Sequence, residues 1–497
     1  MMHGQGKSDL SIVPAKSSNN AAFAAAETME GRGGAKGNAV RGSTCQTQSW
    51  ESVSLALGRI RETARRDKRV RFTALLHHVT VDLLHWSFHQ LERHAAAGVD
   101  GFTWDQYEDG LESNLIDLCA RVHSGAYRAK PSRRQYIPKP DGRQRPLGIA
   151  SLEDKIVQRA VVAILNAIYE TDFLGFSYGF RPKRSQHDAL DALATAIYRK
   201  KVNWILDADI QAFFDTVNWE WLVRFLEHRI ADRRLLRLIG KWLKAGVLED
   251  GRLVTVERGT PQGAVISPVL ANIYLHYVYD LWVHQWRRQN DSGEVIVVRY
   301  ADDTVVGFQR RSDAERFLDD LRERLKRFGL ELHPQKTRII EFGRFAERNR
   351  KAQGLGKPET FAFLGFTHIC GTRKDGGFLI LRHTIRKRLR EKIRQVKEAI
   401  RRMRHWPIAE QALYLKRVMN GFFNYFAVPT NSRAINAFYY NVTWHWCRSL
   451  RRRSQNSRLT WQRMRRLIAH SLPSARLRHP LPDLRFRVMT QCGSPVR

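Results

Sequence analysis

Two short runs of β-branched residues enclose a pair of adjacent aspartates, and this pattern constrains the fold more than any other feature of the chain. Residues 295–308 read VIVVRYADDTVVGF, with Asp302 and Asp303 between the apolar runs. Such runs around a short polar break predict a β-hairpin with both carboxylates in its tight turn. Aspartate is common in ordinary turns, but two adjacent carboxylates between apolar strands repel each other unless a cation lies between them.

A third carboxylate follows a second strand pattern upstream. In residues 203–219, NWILDADIQAFFDTVNW, apolar and polar residues alternate up to Asp209, after which a helix is predicted. Asp209 should therefore lie at a strand end. Phosphoryl transfer to a hydroxyl group requires such carboxylates, because they hold two Mg²⁺ ions roughly 3.5 to 4 Å apart together with the substrate phosphates. Each motif alone is a weak sign of catalysis, and the two together favour a two-metal phosphoryl-transfer site.

The charge of the chain indicates its class of partner. The 497 residues include 84 Lys and Arg against 49 Asp and Glu, which gives a net charge of +35. A chain this basic repels itself unless it meets a polyanion, so nucleic acid is the expected partner. Charge alone leaves a basic ribosomal-type protein or a generic RNA-binding surface open.

Several absences in the sequence bear on the compartment. No run approaches the roughly 18 to 20 apolar residues that a membrane helix needs, and the first residues lack the apolar stretch of a secretory signal. The five cysteines are far apart and form no Cys-x-x-Cys pair. This spacing argues against a disulfide framework and against a cysteine zinc site. A cytoplasmic location without a membrane partner is expected.

Composition and periodicity divide the chain into five predicted regions. Residues 1–50, rich in Ala, Gly and Ser, are predicted to be a disordered tail, and residues 51–125 show helical patterns. Residues 126–375 mix strand and helix signals and carry the compact motifs, which gives an α+β fold class. Residues 376–451 become helical and basic, and residues 452–497 form a basic C-terminal segment.

A short predicted hairpin beginning at Tyr136 carries two cations. Lys139 and Arg145 flank a Pro-Asp-Gly turn in the segment YIPKPDGRQRP. Two cations on a mobile hairpin suit a triphosphate, whose charge must be neutralised as it enters a site. A solvated basic turn is the commoner interpretation of such a pair in isolation, and the residues alone leave both open.

The segment Tyr-Ala-Asp-Asp at residues 300–303 resembles the palm signature of reverse transcriptases, and Asp209-Ile210 resembles the palm strand that precedes it. Further segments resemble the reverse transcriptase/maturase proteins encoded in bacterial group II introns: the helical segment before Tyr136 and residues 172–190, 378–451 and 459–486. The resemblance covers about residues 51–487. It implies a right-hand polymerase, with fingers and an antiparallel palm sheet followed by a basic α-helical thumb or maturase domain.

The resemblance also implies roles for individual residues. Asp209, Asp302 and Asp303 would be catalytic, and they would bind the metal ions together with the backbone carbonyl of Ile210. The implied nucleotide-binding residues contact the triphosphate, the sugar or the templating pair: Lys139, Arg145, Phe214, Gln262 and Lys336. Phe214 would clash with a 2′-hydroxyl and so select deoxynucleotides, although its spacing alone would place it in the core.

A run of arginines near the C-terminal end is predicted to contact nucleic acid. Residues 448–466 contain eight arginines and no acidic residue. Such a stretch binds phosphates with little sequence preference, and a solvated helix end is the alternative. The candidate residues are Arg448, Arg451, Arg452, Arg453 and Arg458. Every other site residue precedes residue 370, so we expect the pocket to assemble without the far C-terminal end.

The implied function is that of an RNA-directed DNA polymerase that also binds its parent group II intron RNA and assists splicing and retrohoming. Its partners would be an RNA template, a DNA target or primer and deoxynucleoside triphosphates, with two Mg²⁺ ions as cofactor. No His- and Cys-bearing nuclease module follows residue 487, so an endonuclease-lacking type that depends on another source of primer is expected.

Other classes of protein stay open. One is a reverse transcriptase outside introns, of the retron-like, diversity-generating or defence-associated kind. Another is an RNA-binding splicing maturase without polymerase activity, which predicts broken carboxylates, whereas all three are intact here. An RNA-dependent RNA polymerase is disfavoured by Ala301 before the aspartates and by the bulky Phe214.

Overall fold

The computed structural model describes residues 44–138, 144–255, 257–289, 292–454, 459–482 and 484, with side chains from residue 50 onward. Over these residues the chain has a mixed α+β fold, as predicted. Helix α1 begins at Thr44, inside the stretch of residues 1–50 that was predicted to be a disordered tail. Residues 1–43 of that stretch lie outside the described residues.

The helices are α1 (Thr44–Arg66), α2 (Val81–His89), α3 (Trp104–Glu108), α4 (Leu111–Ser124), α5 (Leu152–Tyr169), α6 (Gln186–Arg199), α7 (Phe213–Thr216), α8 (Trp219–Glu227), α9 (Arg233–Lys244), α10 (Ser267–Leu275), α11 (Leu281–Gln289), α12 (Arg311–Arg327), α13 (Ala346–Ala352), α14 (Arg386–Arg402), α15 (Ile408–Phe426), α16 (Ser432–Arg451) and α17 (Trp461–Ser471). The strands are β1 (Ser132–Pro138), β2 (Gln144–Ile149), β3 (Trp204–Asp209), β4 (Val247–Glu249), β5 (Arg252–Val254), β6 (Val295–Tyr300), β7 (Asp303–Phe308), β8 (Arg338–Glu341), β9 (Phe361–Phe363), β10 (Phe366–Thr372) and β11 (Phe378–Thr384). A 3₁₀ turn (Leu76–His78) precedes α2, and a π-helical turn (His276–Asp280) joins α10 to α11.

The helices before the first sheet begin where the sequence offers hydrogen-bonding caps. The Thr80 side chain accepts a hydrogen bond from the Leu83 amide ahead of α2, and Thr103 forms a reciprocal capping box with Gln106 ahead of α3. Helices α1 and α2 pack against α5, which is almost entirely buried. Residues 51–125 therefore form a largely helical layer against α5.

The first sheet has the strand order β2-β1-β4-β5. Strands β1 and β2 form an antiparallel hairpin in which Ile137 lies opposite Arg145, and β1 runs parallel to β4. The hairpin predicted from Tyr136 is therefore present, while its turn, residues 139–143, lies outside the described residues.

The central sheet has the order β6-β7-β3-β8, and all its neighbouring strands are antiparallel. Its two faces belong to two different cores because successive side chains point to opposite faces. Leu206 and Val297 lie in a first core with α5, α8 and α12, whereas Ile205 and Val298 lie in a second core with α6. Both faces of this sheet are therefore covered.

The third sheet, β11-β10-β9, connects the central sheet to the C-terminal helices. Because β11 spans residues 378–384, the sheet extends across the predicted domain boundary at residue 376, and the helices start at Arg386. Leu415 of α15 and Trp446 of α16 lie in the second core together with central-sheet residues. No helix in the described ranges combines the length and the apolar character needed to cross a bilayer.

Candidate active site

The turn between β6 and β7 consists of Ala301 and Asp302. Tyr300 lies opposite Asp303, which is the first residue of β7 and is exposed. The prediction placed both aspartates in the turn, but only Asp302 lies there, because a two-residue turn closes the hairpin. Ala301 has a φ of 56°, a left-handed conformation that is unfavourable for a residue with a side chain. The surrounding structure must therefore hold this turn in place.

Asp209 ends β3 beside this turn, as its strand pattern predicted. It lies directly opposite Asp303 across β3 and β7, so the two side chains share one face of the sheet. The Asp209 Oδ2 atom lies 2.5 Å from Nζ of Lys336. Neither residue's neighbours in the sequence indicate this ion pair, and only the family resemblance pointed to Lys336.

Asp302 is half-buried, and burial raises the pKa of its carboxyl group above the ordinary value. The negative charge of Asp209 raises this pKa further, whereas a backbone hydrogen bond and the cations Arg145 and Lys336 lower it. Residues from β2, β3 and the segment before β8 thus act on one carboxylate. Lys139, the other cation predicted to bind the triphosphate, lies outside the described residues.

The carboxylates of Asp209, Asp302 and Asp303, which were predicted to bind the metal ions, do not converge into one cluster in this structure. Within the described ranges, no three His, Cys, Asp or Glu side chains converge closely enough to hold a metal ion. Asp209 pairs with Lys336. Asp209 and Asp302 remain close enough for their charges to interact. Ile210, whose carbonyl was predicted to face a metal, directly follows β3.

Asp207 is a site residue that the sequence reasoning missed. It lies two positions before Asp209 on β3 and therefore on the same face of the sheet. Burial raises the pKa of Asp207 to about 6, and the charge of Asp209 adds to the effect, while Arg338 opposes it. The alternation of β3 could have placed Asp207 beside Asp209, but it gave no measure of how deeply the carboxyl group is buried.

An aromatic group lies beside the hairpin turn. Phe214 is half-buried, whereas its neighbour Phe213 is buried in the first core. The ring of Phe180 is 6.5 Å from Phe214 and also 6.5 Å from Tyr300. Phe180 has a φ of 56° and is exposed, and the sequence reasoning did not single it out. Phe214 thus keeps an accessible edge, which its alternative role as a core aromatic would not require.

Gln262 lies between strand β2 of the first sheet and helix α7. Its backbone carbonyl accepts a hydrogen bond of 2.5 Å from the Gly148 amide of β2, and its side-chain Nε2 is 3.4 Å from Asp215. The next residue, Gly263, has a φ of 120°, and a Cβ there would lie 2.2 Å from the Gly148 carbonyl. Only glycine permits this approach, so the Gln262 segment is fixed against the strand that carries Arg145.

The arginines predicted to bind nucleic acid differ in their surroundings. Arg448 and Arg452 are exposed near the end of α16. Arg451 and Arg453 each donate to a backbone carbonyl of a neighbouring segment, at 2.9 and 2.5 Å. Arg453 is therefore partly a structural residue. Arg458 lies outside the described residues.

A family model and several known proteins are similar to parts of this chain. Residues 137–368 match the family "Reverse transcriptase (RNA-dependent DNA polymerase)". Protein YkfC of Escherichia coli (strain K12) is 40% identical over 191 residues, which are 38% of this chain and 50% of that protein. The group II intron-encoded protein LtrA of Lactococcus lactis subsp. cremoris is 34% identical over 250 residues, which are 50% of this chain and 41% of that protein.

An uncharacterized 91 kDa protein in the cob intron of Schizosaccharomyces pombe is 42% identical over 169 residues, which are 34% of this chain and 21% of that protein. This chain thus spans half or less of the length of each of these three relatives. The match to the family model contains the two aspartates of the hairpin, Asp209, Arg145 and Lys336. Residues 137–368 are therefore similar to reverse transcriptases, and the chain is similar to a protein encoded in a group II intron, as the resemblance in its sequence predicted.

Proposed function

We propose that the chain is an RNA-directed DNA polymerase that uses two-metal phosphoryl transfer, and that it binds its parent group II intron RNA to assist splicing and retrohoming. The observation that carries the polymerase proposal is that Asp209, Arg145 and Lys336 all act on Asp302 at one end of the central sheet. In this proposal the central sheet is the palm, the β1–β2 hairpin belongs to the fingers, and α14, α15 and α16 form the thumb.

Asp209 and Asp302 suit Mg²⁺, because carboxylate oxygens are the ligands that this ion prefers. Burial and like charge raise the pKa of Asp302, and a cation between the two carboxylates would relieve both effects. The Lys336 ammonium group, 2.5 Å from Asp209, already places a positive charge there. Asp209, Asp302 and the carbonyl of Ile210 would hold the two ions, with Asp303 as the third carboxylate. Mg²⁺ held by these residues would supply positive charge to activate a primer 3′-hydroxyl and to stabilise the leaving pyrophosphate.

The residues around the carboxylates would position the nucleotide. Arg145 and Lys336 would bind the triphosphate, together with Lys139, because cations neutralise its charge with charge-assisted hydrogen bonds. Phe214 would lie under the sugar and exclude a 2′-hydroxyl. Gln262 would lie beside the templating pair, since its segment is hydrogen-bonded to the strand that carries Arg145.

Substitution of the two central carboxylates tests the polymerase proposal. Asp209→Asn and Asp302→Asn should each lower Mg²⁺-dependent extension of a DNA primer on an RNA template by more than about 100-fold, with RNA binding nearly unchanged. The matched control is Asp319→Asn, an exposed carboxylate on α12 that pairs with Arg322, and it should extend primers like the wild type. Extension by either active-site variant at the wild-type rate would show that the hairpin turn is not the catalytic centre.

The RNA-binding proposal concerns the exposed arginines at the end of α16. Reversal of Arg448 and Arg452 to Glu should weaken binding to the intron RNA and lower its salt slope by about 0.7 for each lost phosphate contact on single strands. Protein-assisted splicing should be lost, while extension of a short annealed primer should survive at least in part. Arg453 is left intact because it holds a backbone carbonyl, and Arg322→Glu is the control for reversal of an exposed arginine. Equal loss of splicing and extension would contradict a separate RNA-binding role.

A further inference from the structure

Arg299 lies three positions before Asp302, on β6, and its side chain is only 1% exposed. Its charge is paired with Asp280, whose side chain is fully buried. The pairing is bidentate, since Nε donates to Oδ1 at 2.6 Å and Nη2 donates to Oδ2 at 2.5 Å. A buried ion pair of this kind is costly to desolvate, so its position directly behind the hairpin turn calls for an explanation.

The remaining N–H groups of Arg299 donate to the Ala301 carbonyl of the turn and to the side chains of Asn272 and Ser177. Nη1 donates to the Ala301 carbonyl at 2.9 Å and to Oδ1 of Asn272 at 3.2 Å. Nη2 also donates to Oγ of Ser177 at 2.7 Å. A guanidinium group has five N–H donors in a rigid plane, and all five have partners here. One of those partners is the residue with a φ of 56° that immediately precedes Asp302.

The loop that contains Ser177 contacts the same turn through its backbone. The Arg299 amide donates to the Phe176 carbonyl, and the Tyr178 amide donates to the Arg299 carbonyl, both at 2.9 Å. A Cβ added at Gly179 would lie 2.3 Å from the Ala301 amide nitrogen, so this loop touches the turn directly. The Asn272 side chain also holds this loop, because it donates a hydrogen bond to the Gly179 carbonyl at 2.7 Å.

The π-helical turn His276–Asp280 explains how one helix supplies both Asn272 and Asp280. At about 3.6 residues per turn, residues eight positions apart on an α-helix are offset by about 80° around its axis. The wider i→i+5 hydrogen bonding of a π turn takes up an extra residue and reduces this offset. Asn272 and Asp280 can therefore reach the same guanidinium group, and π turns of this kind are frequent at functional sites.

We propose that Arg299, held by Asp280, is a positioning residue that fixes the Ala301 carbonyl and thereby sets the Asp302 carboxylate for metal binding and nucleotidyl transfer. This inference rests on the function proposed above. Arg299 is buried behind the turn, so its effect would pass through the backbone of Ala301. A lysine cannot replace it, because an ammonium group has three donors and no planar fork.

The test compares two buried ion pairs that are removed in the same way. Arg299→Met/Asp280→Leu removes the pair behind the turn without leaving a lone buried charge. The matched control is Arg229→Met/Asp172→Leu, because Arg229 and Asp172 form a buried pair of 3.2 Å with side chains 3% and 11% exposed. Arg229 lies after α8 and Asp172 after α5, and the guanidinium group of Arg229 also donates to the backbone carbonyls of Ala64 and Asp67. The single variant Arg299→Lys keeps the charge and loses the planar donors.

Four quantities are measured for each protein: the thermal unfolding midpoint, kcat and KM in primer extension, and the affinity for Mn²⁺ from the electron paramagnetic resonance signal of the free ion. We expect Arg299→Met/Asp280→Leu to stay folded and to lose about 100-fold in kcat, as displaced catalytic groups do, with KM for the nucleotide little changed. Its Mn²⁺ affinity should fall by roughly 10-fold, which is typical of a lost support for a metal ligand. Arg299→Lys should share both losses, and the control pair should show neither.

Two results would overturn the inference: wild-type kcat and Mn²⁺ affinity in a folded Arg299→Met/Asp280→Leu protein, or equal losses in the control pair. The Mn²⁺ measurement keeps the inference separate from the proposed function. A wild-type protein that binds Mn²⁺ through Asp302 but extends no primer would refute the polymerase proposal alone. A comparison of Mn²⁺ affinity with and without Arg299 would still test whether Arg299 is a positioning residue.

Discussion

The buried carboxyl group of Asp207 should make the protein less stable at neutral pH than at mildly acidic pH. Its side chain is 23% exposed, and Oδ2 lies 4.0 Å from Nε of Arg338. Burial raises the pKa of Asp207 to about 6, from an ordinary value of 3.8, and the charge of Asp209 contributes to this rise. The neutral substitution Asp207→Asn removes this ionisation and keeps the shape of the side chain.

The sign and the size follow from the difference between the folded and the unfolded pKa. Well below pH 3.8 the carboxyl group of Asp207 is protonated in both states, so it has no effect on the pH dependence there. Between about pH 3 and pH 6 the unfolded chain ionises first, and the native state loses stability as the pH rises. A difference of about two pKa units corresponds to about 3 kcal/mol. Asp207→Asn should therefore be more stable than the wild type by about 2 to 3 kcal/mol above pH 7, and this advantage should shrink to less than about 1 kcal/mol at pH 4.

Urea unfolding followed by tryptophan fluorescence, in EDTA and at constant ionic strength, measures this difference at each pH from 4 to 8. Asp319→Asn, an exposed carboxylate on α12, should show no such trend. A constant stability difference across the pH range, or a less stable Asp207→Asn protein at pH 8, would refute the reasoning.

Three further substitutions test other parts of the structure. Phe214→Val should raise ribonucleotide incorporation relative to deoxynucleotide by about 10- to 100-fold in single-nucleotide extension, and an unchanged ratio would return Phe214 to a role in core packing. Arg382→Met should destabilise the protein by about 3 to 5 kcal/mol in urea unfolding, because it removes the guanidinium group that lies 2.7 Å from the buried carboxylate of Asp191; a loss below 1 kcal/mol would contradict this. Gly263→Ala should abolish primer extension, since its Cβ would lie 2.2 Å from the Gly148 carbonyl, and an active variant would show that this approach is not needed.

The local parts of the fold and of the site were predictable because short patterns determine them. The β-branched runs around the two aspartates predicted the β6–β7 hairpin, and the alternation in residues 203–209 placed Asp209 at the end of β3. These features depend on neighbours a few residues apart, which the sequence displays directly.

Features that join distant segments were not predictable in the same way. The contact between Lys336 and Asp209 spans 127 residues, and the parallel pairing of β1 with β4 joins strands more than a hundred residues apart. The start of α16 likewise involves a contact to a distant segment. Asn431 takes the capping position, and its side chain donates to the Thr384 hydroxyl at 2.7 Å, so a contact to β11 decides the start of α16.

The C-terminal helices complete a core that the central sheet begins. Ile205 and Val298 of the central sheet share the second core with Leu415 and Trp446 of these helices. A chain that ended near residue 370 would lack α15 and α16 and would leave this core incomplete. The central sheet and these helices are therefore parts of one packed unit.

This shared core has a consequence for the order in which the chain is made. About 110 residues separate the end of β8, the last strand of the central sheet, from the end of α16, and at about 5 to 20 residues per second the ribosome needs roughly 6 to 22 s to make them. During that interval the central sheet has emerged while part of its second core is still missing, so apolar surface on the nascent chain stays exposed to other chains and to chaperones. Slowing initiation, which spaces the ribosomes along the message, should therefore raise the yield of folded protein more than slowing elongation, which lengthens the exposed interval.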